Sequence, residues 1–360
     1  MKIMTVLGTR PEIIRLSMII KKLDKYCEHI LVHTGQNYDE NLNDIFFKEL
    51  ELREPNYCLG IKANSFTEQI GKILIETEKI IIKEKPDALL ILGDTNSGLV
   101  SIVAKRMKVP VYHMEAGNRC YNNLSPEEVN RKVIDHSSDI LMPYTQISKD
   151  NLLREGIHNK SIYVIGNPIY EVLQAFEDKI DSSNIHDKLD IEKKKYFLIT
   201  MHREENVDNK QRLKNIIEAL DFLQKKYKCP VICSLHPRTK DKLEKFGVQV
   251  KNKKIKMLKP LGFFDFVCLE KNAFFVLTDS GTVQEECCIF KIPNVIIRDT
   301  TERQETIECG SGVVCGLEKE DIIRGVDLVV RELIEWCVPA DYCRMNVSMI
   351  VQKIILGKIM

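Results

Sequence analysis

Three acids follow apolar runs in close succession: Asp94 in Gly93-Asp94-Thr95-Asn96-Ser97, Glu115 in Met114-Glu115-Ala116-Gly117-Asn118-Arg119, and Glu127 in Pro126-Glu127-Glu128-Val129-Asn130-Arg131. Carboxylates gathered in one cleft serve as general acid and general base once their surroundings drive their pKa values apart. Each also has a plainer use. Asp94 is well placed to cap a helix. Glu127 and Arg131, four apart on one helix face, make a solvated ion pair worth about a few tenths of a kcal/mol. The second half of the chain carries a complementary set. His202 lies in Met201-His202-Arg203-Glu204-Glu205-Asn206, and His236 and Arg238 in Leu235-His236-Pro237-Arg238-Thr239. Ser280 and Gly281 open a helix after Thr278-Asp279, where backbone N–H groups and a hydroxyl form a cradle for phosphate. Further along that helix Glu286 can accept both hydroxyls of a ribose, and Arg303 closes the polar run Arg298-Asp299-Thr300-Thr301-Glu302-Arg303. At the amino end, Gly8-Thr9-Arg10-Pro11-Glu12 combines a tight-turn glycine, a capping threonine and a first-turn proline, and sets Arg10 beside a positive helix end. An exposed arginine next to a well-capped helix accounts for the same pattern. No G-x-G-x-x-G follows the run, so a nicotinamide fingerprint is absent there.

These residues need a frame that brings them to one edge. Apolar, β-branched-rich runs alternate with amphipathic stretches along the chain: 3–7, 30–33, 88–92 and 111–113 in the first half, then 196–200, 231–234, 274–278 and 294–297 in the second. Between them the pattern predicts helices over 66–85, 211–226 and 283–290, and a last one near 345–355. Continuous apolar strands separated by helices read as parallel sheets covered on both faces. Two such sets give an α/β chain of two doubly wound, Rossmann-like domains, and 360 residues suits two domains. The expected division is 1–177, 178–337 and a C-terminal segment 338–360 able to return to the first domain, with the polar stretch 178–195 at the boundary. In open parallel sheets ligands bind beyond the carboxyl ends of the strands, which is where the polar residues above lie.

The composition is globular, 44% hydrophobic and 29% charged, and excludes collagen-like, low-complexity and disordered classes. With 53 Lys+Arg against 52 Asp+Glu the net charge is +1, which argues against a general nucleic-acid or membrane-surface binder. No apolar stretch approaches the ~20 residues that span a bilayer, and the run at 3–7 is too short for a signal peptide. A cytoplasmic protein is expected. The twelve cysteines show no C-x-x-C and no regular spacing, and read as buried thiols in a reducing compartment. His113, His202 and His236 each follow a strand, but no H-x-H or helical H-x-x-x-H supports a metal site, and none is expected.

Nine motifs occur in order along almost the whole chain: GTRPE, HTGQNYDE, GDTNS, HMEAGNR, PEEVNRKVIDH, MHREEN, LHPRT, LTDSGTVQEE and RDTTER. Together they resemble the non-hydrolysing UDP-N-acetylglucosamine 2-epimerase family. The resemblance implies a glycosyltransferase-B-like architecture, two Rossmann-like doubly wound domains with the nucleotide sugar in an interdomain cleft. It implies a UDP-sugar substrate, a homodimer, and a reaction without NAD or metal. In that reaction C2 is inverted by anti elimination of UDP to a 2-acetamidoglycal, followed by re-addition. Residue by residue, the resemblance gives Asp94, Glu115 and Glu127 the places of the family's catalytic carboxylates, and His202 that of a histidine essential to the same site. Arg10, Phe266, Ser280, Gly281 and Glu286 match nucleotide-binding positions. Arg131 and Arg303 fall near phosphate or sugar, and Arg15, His236 and Arg238 join the substrate-binding set.

Several positions depart from the usual members. Arg15 stands where Lys is usual, Asn118 replaces Leu, Thr282 turns DSGG into DSGT, Asn37 replaces the second histidine of HTGQH, and Glu171 replaces Asp. HMEAGNRC, PEE-x-NRK-x-x-DH and LKPLGFFDF are more similar to the branch called UDP-N-acetyl-L-fucosamine synthase. That branch epimerises UDP-2-acetamido-2,6-dideoxy-L-talose at C2 in capsule and O-antigen sugar synthesis. Gln304 departs from both branches. The 6-deoxy-L-sugar is accordingly the expected substrate, with UDP-N-acetylglucosamine, interconverted with UDP-N-acetylmannosamine, as the alternative. A transferase of the same architecture would need an acceptor groove but not three carboxylates around C2. A silent UDP-sugar sensor would have no use for Asp94, Glu115, Glu127 and His202 together.

Overall fold

In the computed structural model the described residues are 1–35, 40–63, 65–122, 125–331 and 335–357; Asn37 lies outside them. They fold as two compact units, Met1–Ala175 with Ala340–Met360, and Phe176–Pro339. The chain therefore crosses at 175/176 and returns at 339/340, where the sequence reading has 177/178 and 337/338. The polar stretch 178–195 is not a bare linker. It forms the short helices Glu177–Asp181 and Ile185–Leu189 within the second unit, because Ile180 and Ile185 give it an apolar side to bury.

The first unit contains six parallel strands, β1 (Lys2–Leu7), β2 (Glu28–His33), β3 (Tyr57–Cys58), β4 (Ala88–Leu92), β5 (Val111–Met114) and β6 (Ile140–Met142), in the order β3-β2-β1-β4-β5-β6. On one face Met4, Val6, Val32, Leu89 and Ile91 pack with Ile73 and Ile80 of the helix Phe66–Glu84. The helix Arg10–Tyr26 buries Ile13, Leu16, Ile19, Ile20 and Leu23, and the helix Val347–Leu356 packs against it with Val347, Val351 and Ile355 buried. Glu171 fixes that last helix by accepting from the Ser348 N–H (2.8 Å) and the Ser348 hydroxyl.

The second unit repeats the plan with β7 (Phe197–Met201), β8 (Val231–Leu235), β9 (Ile255–Leu258), β10 (Phe275–Thr278), β11 (Asn294–Ile296) and β12 (Gly312–Val314), ordered β12-β11-β10-β7-β8-β9. Its core joins Phe197, Ile199, Val231, Phe275, Leu277 and Val295 to Leu213, Ile216 and Leu220 of the helix Lys210–Tyr227. Counted from β7, this is the strand order of the first unit. In each sheet the order reverses between the first and fourth strands, so the loops after β1 and β4, and those after β7 and β10, are the switch points where a ligand crevice opens.

The thiol reading needs correction. All twelve cysteines are free, but only Cys120, Cys233, Cys268, Cys287 and Cys288 are buried, while Cys58, Cys337 and Cys343 are exposed. Cys58 ends β3, the edge strand of its sheet. No described helix is long and apolar enough to cross a membrane.

Candidate active site

The first switch point is built on Glu12. Its buried carboxyl accepts from the N–H of Gly8 (3.0 Å) and Thr9 (2.8 Å), from the Thr9 hydroxyl (2.7 Å), and from the Thr95 hydroxyl (3.1 Å). One side chain thus ties the loop after β1 to the loop after β4. Burial pushes the Glu12 carboxyl up to about 7, with the four hydrogen bonds pulling the other way. Arg10 opens the following helix and lies 5.9 Å from the Phe46 ring centroid. Burial lowers its guanidinium from the ordinary value.

Beside Thr95, Asp94 does not cap a helix. Its carboxylate takes Arg131 at 2.7 Å, and Asn130 donates to its carbonyl at 3.0 Å. Glu115 has a left-handed backbone, φ +64°, a conformation that costs a non-glycine residue on the order of 1 kcal/mol and gathers at functional sites. The bend turns its side chain back over β4. A Cβ on Gly93 (φ +74°) would lie 3.5 Å from Glu115 Oε2, so the carboxylate rests against the residue next to Asp94. Arg15, buried in the helix Arg10–Tyr26, donates to Oε2 at 3.1 Å and stacks 5.6 Å from the Tyr144 ring. The Tyr144 hydroxyl donates to Oε2 at 3.5 Å, and Asn118 Nδ2 donates to Oε1 at 3.2 Å.

Glu127 and its neighbour divide the work of the helix Pro126–Ser137. Glu127 is half-buried and accepts from the Ser125 hydroxyl at 2.7 Å. Glu128 is fully buried and accepts from the N–H of Cys120 (3.0 Å) and Tyr121 (3.2 Å) and from Arg131 (3.0 Å). Arg131 pairs with Asp94 and with Glu128. One turn on, Asp135 accepts from His113 Nδ1 (2.9 Å), Arg119 (2.8 Å) and the Gly117 N–H (3.2 Å), while His113 Nε2 donates to the Gly93 carbonyl at 2.9 Å. One helix face therefore clamps the loops after β4 and β5. Burial pushes Asp135 up, but His113 and Arg119 outweigh it and hold the carboxyl below its usual range.

At the second switch point the hub is Asp279, at the end of β10. It is fully buried and accepts from the N–H of His202 (2.9 Å) and Arg203 (3.0 Å), from Asn206 Nδ2 (3.1 Å), and pairs with His202 Nδ1 at 3.2 Å. Burial pushes its carboxyl up, yet His202 and the two backbone donors leave it below the usual value. The His202 ring lies 6.1 Å from that of His236, the N-cap of the helix Pro237–Phe246. His113, in the other unit, has partners of its own. Among the described residues no cluster of three or more His, Cys, Asp or Glu could hold a metal ion.

Ser280 is the N-cap of the helix Gly281–Phe290, but its hydroxyl meets Thr282 Oγ1 at 2.9 Å and makes no cap bond. The N–H groups of the first turn are therefore left for another acceptor. Gly281 lets the helix start approach Glu302 closely: a Cβ there would stand 2.7 Å from Glu302 Oε1. Glu302 is buried between Arg298 (2.7 Å), Arg203 (3.3 Å) and Arg303 (3.6 Å), and Arg303 also pairs with Glu285. Three guanidinium groups thus meet beside an uncapped helix start, donors suited to a diphosphate. Glu286 is buried on the same helix next to Glu270. Burial first, and the Glu286 charge second, raise Glu270 well above the usual range. Phe266 is half-buried in the helix Phe263–Lys271. Arg238 is committed elsewhere: it holds Asp208 in two bonds (2.9 and 2.8 Å) and pairs with Glu204. Sequence reasoning did not single out Glu12, Glu128, Asp135, Asp279 or Glu302 as site residues, and each lay in a motif already in view.

Two doubly wound sheets of one strand order, each with its polar groups at the switch point, define a glycosyltransferase-B-like protein of two Rossmann-like domains. The fold alone extends to MurG of Acinetobacter baumannii, with a TM-score of 0.56 at 13% identity over 99% of both chains. The particular family is closer at hand. Residues 21–352 match the family model for UDP-N-acetylglucosamine 2-epimerase. The chain is 46% identical over 344 residues to the UDP-N-acetylglucosamine 2-epimerase of Methanocaldococcus jannaschii, covering 93% of this chain and 94% of the relative. A crystal structure of M. jannaschii UDP-GlcNAc 2-epimerase in complex with UDP-GlcNAc and UDP matches with a TM-score of 0.94 and 43% identity, over 99% of this chain and 100% of that one. The UDP-2,3-diacetamido-2,3-dideoxy-D-glucuronate 2-epimerase of Pseudomonas aeruginosa is 37% identical over 90% of each chain. The chain belongs to the UDP-N-acetylglucosamine 2-epimerase family and is an isomerase that acts on a UDP-sugar.

Proposed function

We propose that this chain inverts C2 of a UDP-2-acetamido sugar by eliminating UDP and adding it back. One carboxylate takes the proton from C2 while the bond between C1 and the UDP oxygen breaks, its electron pair leaving with UDP. The product is a 2-acetamidoglycal. A second acid then returns a proton to the other face of C2 as the UDP oxygen re-forms its bond to C1. One proton and one UDP leave and both return, so the step balances within its own atoms.

The observation that carries this reading is the Glu115 carboxylate, held by Arg15 over Gly93, with Asp94 and Arg131 at the next residue. Two acids on adjacent strand ends, each paired with a cation, supply the two carboxyl groups needed to take and return a proton. Glu127 supplies the third carboxylate and His202 a further proton-bearing group. In the second unit the free N–H groups at Gly281, the arginines 203, 298 and 303, and Glu286 support a grip on diphosphate and ribose. Phe266 and His236 complete that set, and Arg238 acts as a brace on Asp208. Arg10, at the start of its helix, is a cation of the first unit placed for phosphate or sugar, and Arg131, paired with Asp94 and Glu128, acts there through those carboxylates.

The proposed sugar is N-acetylglucosamine, exchanged with N-acetylmannosamine, supported by the naming of relatives up to 46% identical. The 6-deoxy-L-talose reading rests on Asn118, Thr282 and the segment 262–266. Asn118 turns to Glu115 and Ser148, and Thr282 to Ser280, so contacts within the protein account for two of the three. Incubating the enzyme in heavy water with each UDP-sugar side by side tests both levels. Deuterium at C2 and a higher kcat/KM on UDP-N-acetylglucosamine are expected. No exchange with either sugar overturns the reaction; a higher kcat/KM on the L-talose nucleotide overturns the choice of sugar.

A further inference from the structure

Asn118 lies three residues after Glu115 and is almost fully buried. Its backbone is pinned through Gly117, whose φ is +81° and whose missing Cβ would fall 2.2 Å from the Ser148 carbonyl oxygen. No other residue fits there. Asn151 Nδ2 donates to the Gly117 carbonyl at 3.0 Å, so this loop is docked on the helix Gln146–Arg154 at two points. The side chain then joins a line of buried polar groups. Thr145 Oγ1 lies 3.2 Å from Ser148 Oγ, Ser148 Oγ 2.9 Å from Asn118 Oδ1, and Asn118 Nδ2 3.2 Å from Glu115 Oε1.

The direction of this line follows from chemistry. A carboxylate only accepts, so the Asn118 NH2 must face Glu115 and its oxygen must face Ser148. Ser148 has one proton and gives it to Asn118, so it accepts from Thr145. Residue 144 serves the other carboxylate oxygen: the Tyr144 hydroxyl donates to Oε2, which Arg15 also holds. Besides the bond from Arg15, Oε1 is held by Asn118, which Ser148 of the helix Gln146–Arg154 braces, and Oε2 by Tyr144, two residues ahead of the same helix.

We propose that Asn118 is a positioning residue for Glu115, fixing the carboxylate through the relay Thr145–Ser148–Asn118, and that it sets the rate of proton transfer rather than the choice of sugar. This rests on the proposed role of Glu115. Misplacing a proton-transfer group by about 1 Å costs on the order of 100-fold in rate, and losing one hydrogen bond to a charged group costs about 10-fold or more. Asn118→Leu, which keeps the branched shape and removes the donor, is therefore expected to lower kcat by about 10- to 100-fold. KM should stay within about threefold, as should the ratio of kcat/KM between UDP-N-acetylglucosamine and the L-talose nucleotide. Ser148→Ala, which frees the far end of Asn118, should lower kcat by a smaller factor with the same unchanged KM and sugar ratio. A full kcat in both variants overturns the proposal, as does a changed sugar ratio with kcat intact. Should Asn118→Leu fail to fold, Ser148→Ala alone decides. A wild-type enzyme that exchanges no C2 proton would instead overturn the reaction proposed above, a result distinct from either.

Discussion

Glu12 offers a test whose size follows from its surroundings. Its side chain is 1% exposed and its carboxyl is raised from 4.5 to about 7, burial being the dominant cause. The folded state therefore holds the proton at pH values where the unfolded chain has released it. Below about 4.5 both states are protonated and Glu12 contributes nothing to pH dependence. Between 4.5 and about 7 the folded state binds more protons, so stability falls as pH rises. Above about 7 both states are ionised and the full cost of the buried charge is present. A shift of this size corresponds to about 3 kcal/mol at ~1.4 kcal/mol per unit. Glu12→Gln removes the titration. It also loses part of the bonding to Gly8, Thr9 and Thr95, but that loss does not change with pH. Urea unfolding of both proteins at about pH 4.5 and about pH 8 should show the difference in stability moving toward the variant by about 3 kcal/mol at the higher pH. A difference that does not change, or that moves toward the wild type, would mean that the four hydrogen bonds outweigh burial and the reasoning is wrong.

Asp94→Asn, Glu115→Gln and Glu127→Gln should each keep the fold and lower turnover by ~100-fold or more, as loss of a general acid or base does; two near-normal rates among the three would remove the proton-transfer assignment. Glu286→Ala should weaken UDP binding by about tenfold, read by calorimetry, with little change in melting temperature. Glu302→Ala should destabilise the second unit by about 3–5 kcal/mol in a thermal melt, because it leaves Arg298 and Arg203 buried without their shared carboxylate.

The parts of this molecule that are legible in the sequence are those governed by local pattern. The eight apolar runs match inner strands, since a strand covered on both faces must be apolar throughout. The four strands that no run announces, β3, β6, β9 and β12, are the sheet edges. Each is only two to four residues long, too short to stand out as a run, even where, as in β6, every residue is apolar and buried. The same limit applies to the site. Residues at the ends of inner strands can be located because the strands can. Their partners cannot: Arg15 reaches Glu115 across 100 residues, and Glu302 reaches Arg203 across 99. Strand order sets these meetings, and no single segment encodes strand order.

Glu127 and Glu128 show where a stronger sequence argument was available. The two are neighbours of one residue type, and only helix phase separates them. Glu128, Arg131 and Asp135 fall at i, i+3 and i+7, one face of the helix Pro126–Ser137. Three charged residues on one face, acid–base–acid, ordinarily point to solvent. Here that face is buried. A face of that kind is stable only if each charge meets a fixed partner, and the partners are the loop amides after β5, the Asp94 carboxylate and His113. The buried face thus holds Asp94 and the bend at Glu115 in place, while Glu127, one step around the helix, is half-exposed and accepts from Ser125. The division follows from the chemistry proposed: an acid that exchanges protons with a substrate needs access to it, and an acid that holds a loop needs burial.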